Sequence, residues 1–497
     1  METKISLIYK RLTLLVLCFF VLGMIQGQIV FADYSDPDVC EGTEGDYWLT
    51  ASSFQCTPGL PILHSRDLVN WQLVNHAVEK LLPLEHYNTV RHGQGVWAPS
   101  IRRHNDTYYI YWGDPDYGIW MVKTDNPRGR WSEPVLVVEG KGLIDPCPLW
   151  DEDGRCYLVN AWAASRCGFN SVLTVRELSS DGSHAISEPV LVYDGQTEGN
   201  HTIEGPKLYK RDGYFYIIAP AGGVEKGWQV ALRSSNCFGP YDSKIVFNKN
   251  GIHQGGWVAD KFVAFQDRGP YGRILHLLDV NWTEGWPMMK SEKVKPAPLT
   301  ASDIRLFYQW HANYQEFFGF PTNKGVRVYG HKVSKDEVNL WQVPNLYLRK
   351  FWGETFCDTL HLTITAKEAG QQSGFVIMGR DYLRLSVEFT GKEFVLKRIV
   401  CHDADQSGQE EGTLIATIPA RSYEAGALPN YECSISVLFQ CERGAVCRLA
   451  YSTDAVHYLD IPDSFQARVG KWIGAKYGVY SISPSASSKG WVDLIFK

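Results

Sequence analysis

Ile203-Glu204-Gly205-Pro206, running through Asp212-Gly213 into Tyr214-Phe215-Tyr216-Ile217, is one copy of a unit that recurs along the first half of this chain. An acidic or small residue stands beside a proline, a few apolar residues and a polar turn follow, and an aromatic-rich strand comes next. The same order is found in Ser35-Asp36-Pro37-Asp38-Val39 leading to Tyr47-Trp48-Leu49, and in Trp97-Ala98-Pro99-Ser100-Ile101 leading to Tyr108-Tyr109-Ile110-Tyr111. It is found again in Ile144-Asp145-Pro146 leading through Asp153-Gly154 to Tyr157-Leu158-Val159, and more faintly from His253-Gln254-Gly255-Gly256-Trp257-Val258. The starts recur about every 54 residues, a length that suits one four-stranded blade with variable loops. The repeat therefore predicts an all-β chain beginning with a five-bladed β-propeller. Innermost strands of successive blades line one channel, so Asp36, Asp145 and Glu204 are predicted to face one another across it.

Outside the repeat the chain changes character. Its 497 residues exceed one ordinary core, and the pattern fades after Gly285-Trp286-Pro287. Residues 28–290 are read as the propeller, 291–300 as a linker and 301–497 as a second domain. There the strands alternate with period two, as in Leu360–Thr365, Leu383–Glu388 and Phe394–Lys397, which predicts a β-sandwich. At the other end, Lys4, Lys10 and Arg11 precede an apolar run from Leu12 to Ile25, followed by small and polar residues around Gly27. Residues 1–27 read as a secretion signal, the run being short of the roughly 20 residues that span a bilayer. A secreted or periplasmic protein without a membrane span is expected. Cleavage would leave eleven cysteines, an odd number with no CxxC or zinc-type spacing, so no metal–thiolate site is expected. The formal charge of −6 and the lack of any long basic run argue against a nucleic-acid partner. The 17 tryptophans suit both β-structure and stacking on sugars.

Carboxylates at repeat starts have a chemical reading. Cleavage of a glycosidic bond needs one group to protonate the departing oxygen and a second carboxylate to activate water or attack the sugar. Asp36 and Glu204 suit these tasks. Asp145, from the blade between them, would orient the acid and raise its pKa by like-charge repulsion. A glycan-binding propeller, with carboxylates that merely accept hydrogen bonds from hydroxyls, is the non-enzyme alternative.

The ordered series FADYSDPDV, WAPSI, LIDPCPLW, IEGPKLYKRDGYFY, HQGGWV and DRGPYGR resembles the motifs of glycoside hydrolase family 43 over about residues 30–290. From about 300 to the end, with KWIGAKYGVYS late in it, the chain resembles the concanavalin-like β-sandwich of the β-xylosidase and α-L-arabinofuranosidase branch. The resemblance implies Asp36 as general base, Glu204 as general acid and Asp145 as the residue tuning the acid. It further implies inversion, Phe54 and Trp97 closing around the terminal sugar, and Arg273 close to the sugar hydroxyls. His253 matches a channel histidine that holds a hydrated calcium in some members, so calcium is the one cofactor left open, and none is required. The implied function is exo-acting release of terminal arabinofuranosyl or xylosyl units from plant cell-wall oligosaccharides, with a slight preference for arabinofuranose. An endo-arabinanase is the enzymatic alternative. Two residues depart from the commoner pattern: Asp38, whose charge would act on Asp36 if it turned inward, and Cys147, read as a small buried filler.

Overall fold

Alternating aromatic and β-branched strands joined by tight turns pair antiparallel with their sequence neighbours, and this local pairing builds each blade. A computed structural model describes residues 27–424, 429–485 and 490–496; the predicted signal segment lies outside them, apart from Gly27. Among the described residues the first domain is a five-bladed propeller. Four blades are consecutive meanders whose innermost strands are Asp38–Glu41, Trp97–His104, Leu143–Trp150 and Lys207–Arg211. The fifth has Ile252–Val258 innermost, then Lys261–Asp267 and Arg273–Thr283. Its outer edge is shared by Trp286–Ser291 and by Gln28–Val30 from the start of the chain, so both ends of the repeat region pair with one strand and close the ring. Gly256 permits that closure, since a Cβ there would lie 2.2 Å from Asp38 Oδ1 of the first blade.

Segment 291–300 runs along the first blade, where Ala297 N donates to Asn70 Oδ1 and Thr300–Ala301 pairs in parallel with Gln72 and Leu73. The second domain packs two sheets face to face. One carries Lys476–Ser483 between Tyr347–Lys350 and Gln372–Met378, and the other carries Phe356–Ala366 between Gly490–Ile495 and Pro429–Glu442. Phe375, Leu385, Val437, Phe439 and Tyr477 fill the space between them, a concanavalin-like sandwich. No helix among the described residues is long and apolar enough to cross a membrane.

The two domains are stapled beside the mouth of the channel. Thr57 and Trp310 exchange backbone hydrogen bonds, and Asn313 brackets Leu81 through both its amide oxygen and its amide nitrogen. His92 of the propeller stacks on Trp341 of the sandwich with ring centroids 3.6 Å apart. Tyr271 of the propeller is buried in the sandwich core, where its hydroxyl accepts from Ala445 N at 2.6 Å. The sandwich therefore forms part of the surroundings of the site.

Candidate active site

At the start of every innermost strand the backbone passes through one left-handed residue. These are Asp36 (φ 53°), Ala98 (32°), Asp145 (57°), Gly205 (56°) and Gln254 (51°), equivalent positions in the five blades. Strand register slips at the same place in blades two, three and five. This conformation is uncommon for a residue with a Cβ, although Asp tolerates it better than most. Asp36 and Asp145 occupy the left-handed position itself, whereas Glu204 stands one residue before it.

Asp36 is buried and doubly held: Ser52 Oγ donates to Oδ2 at 2.6 Å and Arg273 donates through one guanidinium nitrogen to Oδ1 at 2.8 Å. Each carboxylate oxygen keeps a further lone pair for water. Asp145 accepts from Gly205 N at 2.7 Å, gripping the backbone just after Glu204. Burial pushes the Asp145 carboxyl well above the ordinary range, and the charge of Asp36 adds to the rise. Glu204 is raised as well, by burial first and then by the charges of Asp145 and Asp36, with Arg273 opposing. The three predicted carboxylates thus act on one another as one electrostatic unit, in which burial and like charge favour the protonated form of Glu204 and Asp36 faces a fixed cation. Such a unit offers a proton donor and a hydrogen-bond acceptor for water on the same substrate.

The other sequence-predicted residues lie around it. Arg273 is buried rather than on the surface. Phe54 is buried, bridges Val96 through its backbone and meets Trp97 edge to face. Trp97 stays partly open, donating its indole N–H to Gly93 O. His253 is buried, with Nδ1 2.9 Å from Gly251 O, and burial lowers its pKa, leaving a neutral imidazole that feels both Arg273 and Asp36. Calcium takes six to eight oxygen ligands. Among the described residues no group of three or more His, Cys, Asp or Glu side chains is placed to hold a metal ion.

Asp38 turns away from Asp36, accepting from Ile101 N at 2.8 Å and from Arg102 at 2.5 Å. Cys147 is an acceptor as well as a filler, taking bonds from Arg102 and Leu208 N at 2.9 and 3.3 Å. Ser100 reaches Pro146 O, and the buried Lys207 reaches Pro99 O at 2.8 Å. These residues, each two positions after the left-handed residue of its blade, belt the blades together.

Three contributors have no role assigned from the sequence, although Asp33 and Trp472 lie inside the quoted stretches FADYSDPDV and KWIGAKYGVYS. Ser52 holds Asp36 and also accepts from Ala98 N. Trp472 of the sandwich, partly exposed, meets Trp97 edge to face at 6.2 Å. Asp33 accepts from Arg273 N, from Gly474 N of the sandwich, each at 2.9 Å, and from Ser35 Oγ. The backbones are so close that a Cβ on Gly474 would lie 2.6 Å from Gly272 N. One buried carboxylate thereby ties the segment bearing Asp36, the backbone of Arg273 and the second domain. Asp33→Ala strands two buried N–H groups and is expected to cost about 2–4 kcal/mol in urea unfolding, together with a fall in kcat.

The family profile of glycosyl hydrolases family 43 matches residues 26–287, and that of the β-xylosidase C-terminal concanavalin A-like domain matches residues 300–496. A Xylanibacter ruminicola protein is 36% identical over 265 residues, 51% of this chain and 49% of its own, so the match spans about half of that relative. A β-xylosidase of Formosa agariphila is 25% identical over 549 residues, covering 94% of this chain and 88% of its own. The crystal structure of a xylan β-1,4-xylosidase from Bacillus halodurans C-125 superposes with a TM-score of 0.76 at 20% identity, over 95% of this chain and all of that one, a likeness of fold. With the propeller, the sandwich and both profiles in agreement, the chain belongs to glycosyl hydrolase family 43 and is a glycoside hydrolase.

Proposed function

We propose that this hydrolase is a secreted or periplasmic, exo-acting, inverting enzyme that releases terminal β-D-xylosyl and α-L-arabinofuranosyl units from plant cell-wall oligosaccharides. The observation carrying the reading is the division of labour among the carboxylates. Burial and two like charges raise the pKa of Glu204 and favour its protonated form, while Asp36 is pinned between Ser52 and Arg273. Asp36 takes a proton from water as that water attacks the anomeric carbon, and Glu204 gives its proton to the departing glycosidic oxygen. In an inverting site the two carboxyl groups stand about 6.5–9.5 Å apart, leaving room for the water. Proton transfer and water activation both fall to carboxylates, so the reaction needs no metal.

Exo action is supported by the way Lys471 and Trp472 of the sandwich press on Gly93 and Trp97, narrowing one side of the mouth. The apolar run of residues 12–25 supports export. The name of the Formosa agariphila relative supports xylose, alongside the arabinofuranose that the motif series favours.

The test is release of nitrophenol from 4-nitrophenyl β-D-xyloside and 4-nitrophenyl α-L-arabinofuranoside, with pH profiles of the wild type and Asp145→Asn. Turnover on at least one substrate is expected, and none on either would remove the pentosidase reading. The sign of the pH effect follows from the acid's role. Glu204 works while protonated, so its raised pKa carries activity to higher pH, and activity falls as pH rises through that value. Asp145→Asn removes a neighbouring negative charge, lowers the pKa of Glu204 and should move the alkaline limb of kcat/KM down by about one pH unit. An unmoved limb would take the tuning role from Asp145.

A further inference from the structure

Cys441 and Cys447 stand on the two arms of the hairpin joining Pro429–Glu442 to Val446–Ser452, and they are direct cross-strand partners. Both are buried, both belong to the sandwich core, and Cys447 is held in its protonated form first by contact with the Cys441 thiol. Directly opposed strand residues have Cα atoms about 4.5–5.5 Å apart, inside the roughly 4.4–6.8 Å span of disulfides. Closing the bond therefore asks for side-chain rotation and little backbone movement. Among the described residues, the other strand-borne cysteines are opposed by different residue types: Cys40 by Trp48, Cys147 by Val159, Cys156 by Trp150 and Leu178, Cys357 by Gln440, Cys401 by Tyr382 and Glu410, and Cys433 by Ile364.

The hairpin tip between the two cysteines is one of the parts of the sandwich that grip the propeller. Ala445 N donates to the Tyr271 hydroxyl, which in turn lies 3.3 Å from Glu442 O, and Tyr271 is two residues from the arginine that holds Asp36. We propose that Cys441 and Cys447 form a disulfide in the exported protein, fixing this hairpin on Tyr271. The two thiols lose two protons and two electrons. An external disulfide, of glutathione or of a thiol oxidoreductase, accepts them through a mixed disulfide and departs as two thiols.

The experiment uses the chain without residues 1–27, refolded in a reduced and oxidised glutathione mixture, alkylated in denaturant without reductant, digested with trypsin and mapped by mass spectrometry. Arg443 lies between the two cysteines, so tryptic cleavage after it turns the bond into two linked peptides; Cys433 shares the first of them with Cys441, and fragmentation of the linked pair assigns the bridge to one or the other. The expected result is that linked pair, lighter by two hydrogens than the separate peptides and split by reductant. Alkylation of both residues, or linkage of either to another cysteine, would overturn the proposal. Reduction should also lower the melting temperature of the wild type by roughly 5 °C, while Cys441→Ser should melt alike in both conditions. Equal melting of oxidised and reduced wild type would refute the bracing role. The peptide map decides the bond even if the variant does not fold.

Discussion

Asp36→Asn is expected to lower kcat/KM about 10³–10⁴-fold on every substrate the enzyme cleaves, whatever the leaving group. Asparagine keeps the shape of the side chain and an oxygen that can still accept from Ser52 or Arg273, but it cannot take a proton from water. Since the base acts on the nucleophile, a good leaving group gives no relief, and aryl pentosides and natural oligosaccharides should suffer alike. The same change leaves the buried Arg273 without its counter-ion. A stability loss of about 2–3 kcal/mol should accompany the loss of activity. Circular dichroism would verify that the variant is folded under the assay conditions. Activity on the aryl substrate within tenfold of wild type would take the general base away from Asp36.

Glu204→Gln should have the opposite signature. Glutamine cannot donate the proton that the departing oxygen needs, so hydrolysis of xylo- or arabino-oligosaccharides should fall about 10²–10⁴-fold. Nitrophenol departs with little help, and its release should fall far less. The buried neighbours Asp145 and Asp36 make the neutral amide easier to accommodate than an ionised glutamate, so the variant should fold well at alkaline pH. Its affinity for intact oligosaccharide should be nearly that of the wild type. A glycan-binding propeller would retain that affinity too, but its wild type would release no sugar. Equal losses on aryl and natural substrates would argue that Glu204 does something other than protonate the leaving group.

Much of this organisation is legible in the sequence because it is local and repeated. A proline beside an acidic or small residue, an aromatic strand some ten residues later and a constant interval reveal the blades, and a propeller turns equivalent positions into a shared cavity. Asp36, Asp145 and Glu204 could be read from that rule alone, and the resemblance added Arg273. Details set by long-range contact were not legible. Nothing near Asp33 announces that it will accept a bond from Gly474, over four hundred residues away. Ser52 and Trp472 likewise acquire meaning only once loops from different blades and domains meet. The left-handed residue at each strand start escapes as well, because Asp, Ala, Gly and Gln all fill it and composition gives no common mark. Asp38 and Cys147 looked like departures near the chemistry, and their partners place them in the belt between blades.

The most direct test of the account follows the anomeric protons by NMR while the wild type hydrolyses a β-D-xyloside. With Asp36 activating water and Glu204 protonating the leaving oxygen, α-D-xylose should appear first and mutarotate to β. Initial appearance of β-D-xylose would mean that a carboxylate attacks the sugar directly, and would contradict the assignment of Asp36 as a base acting on water.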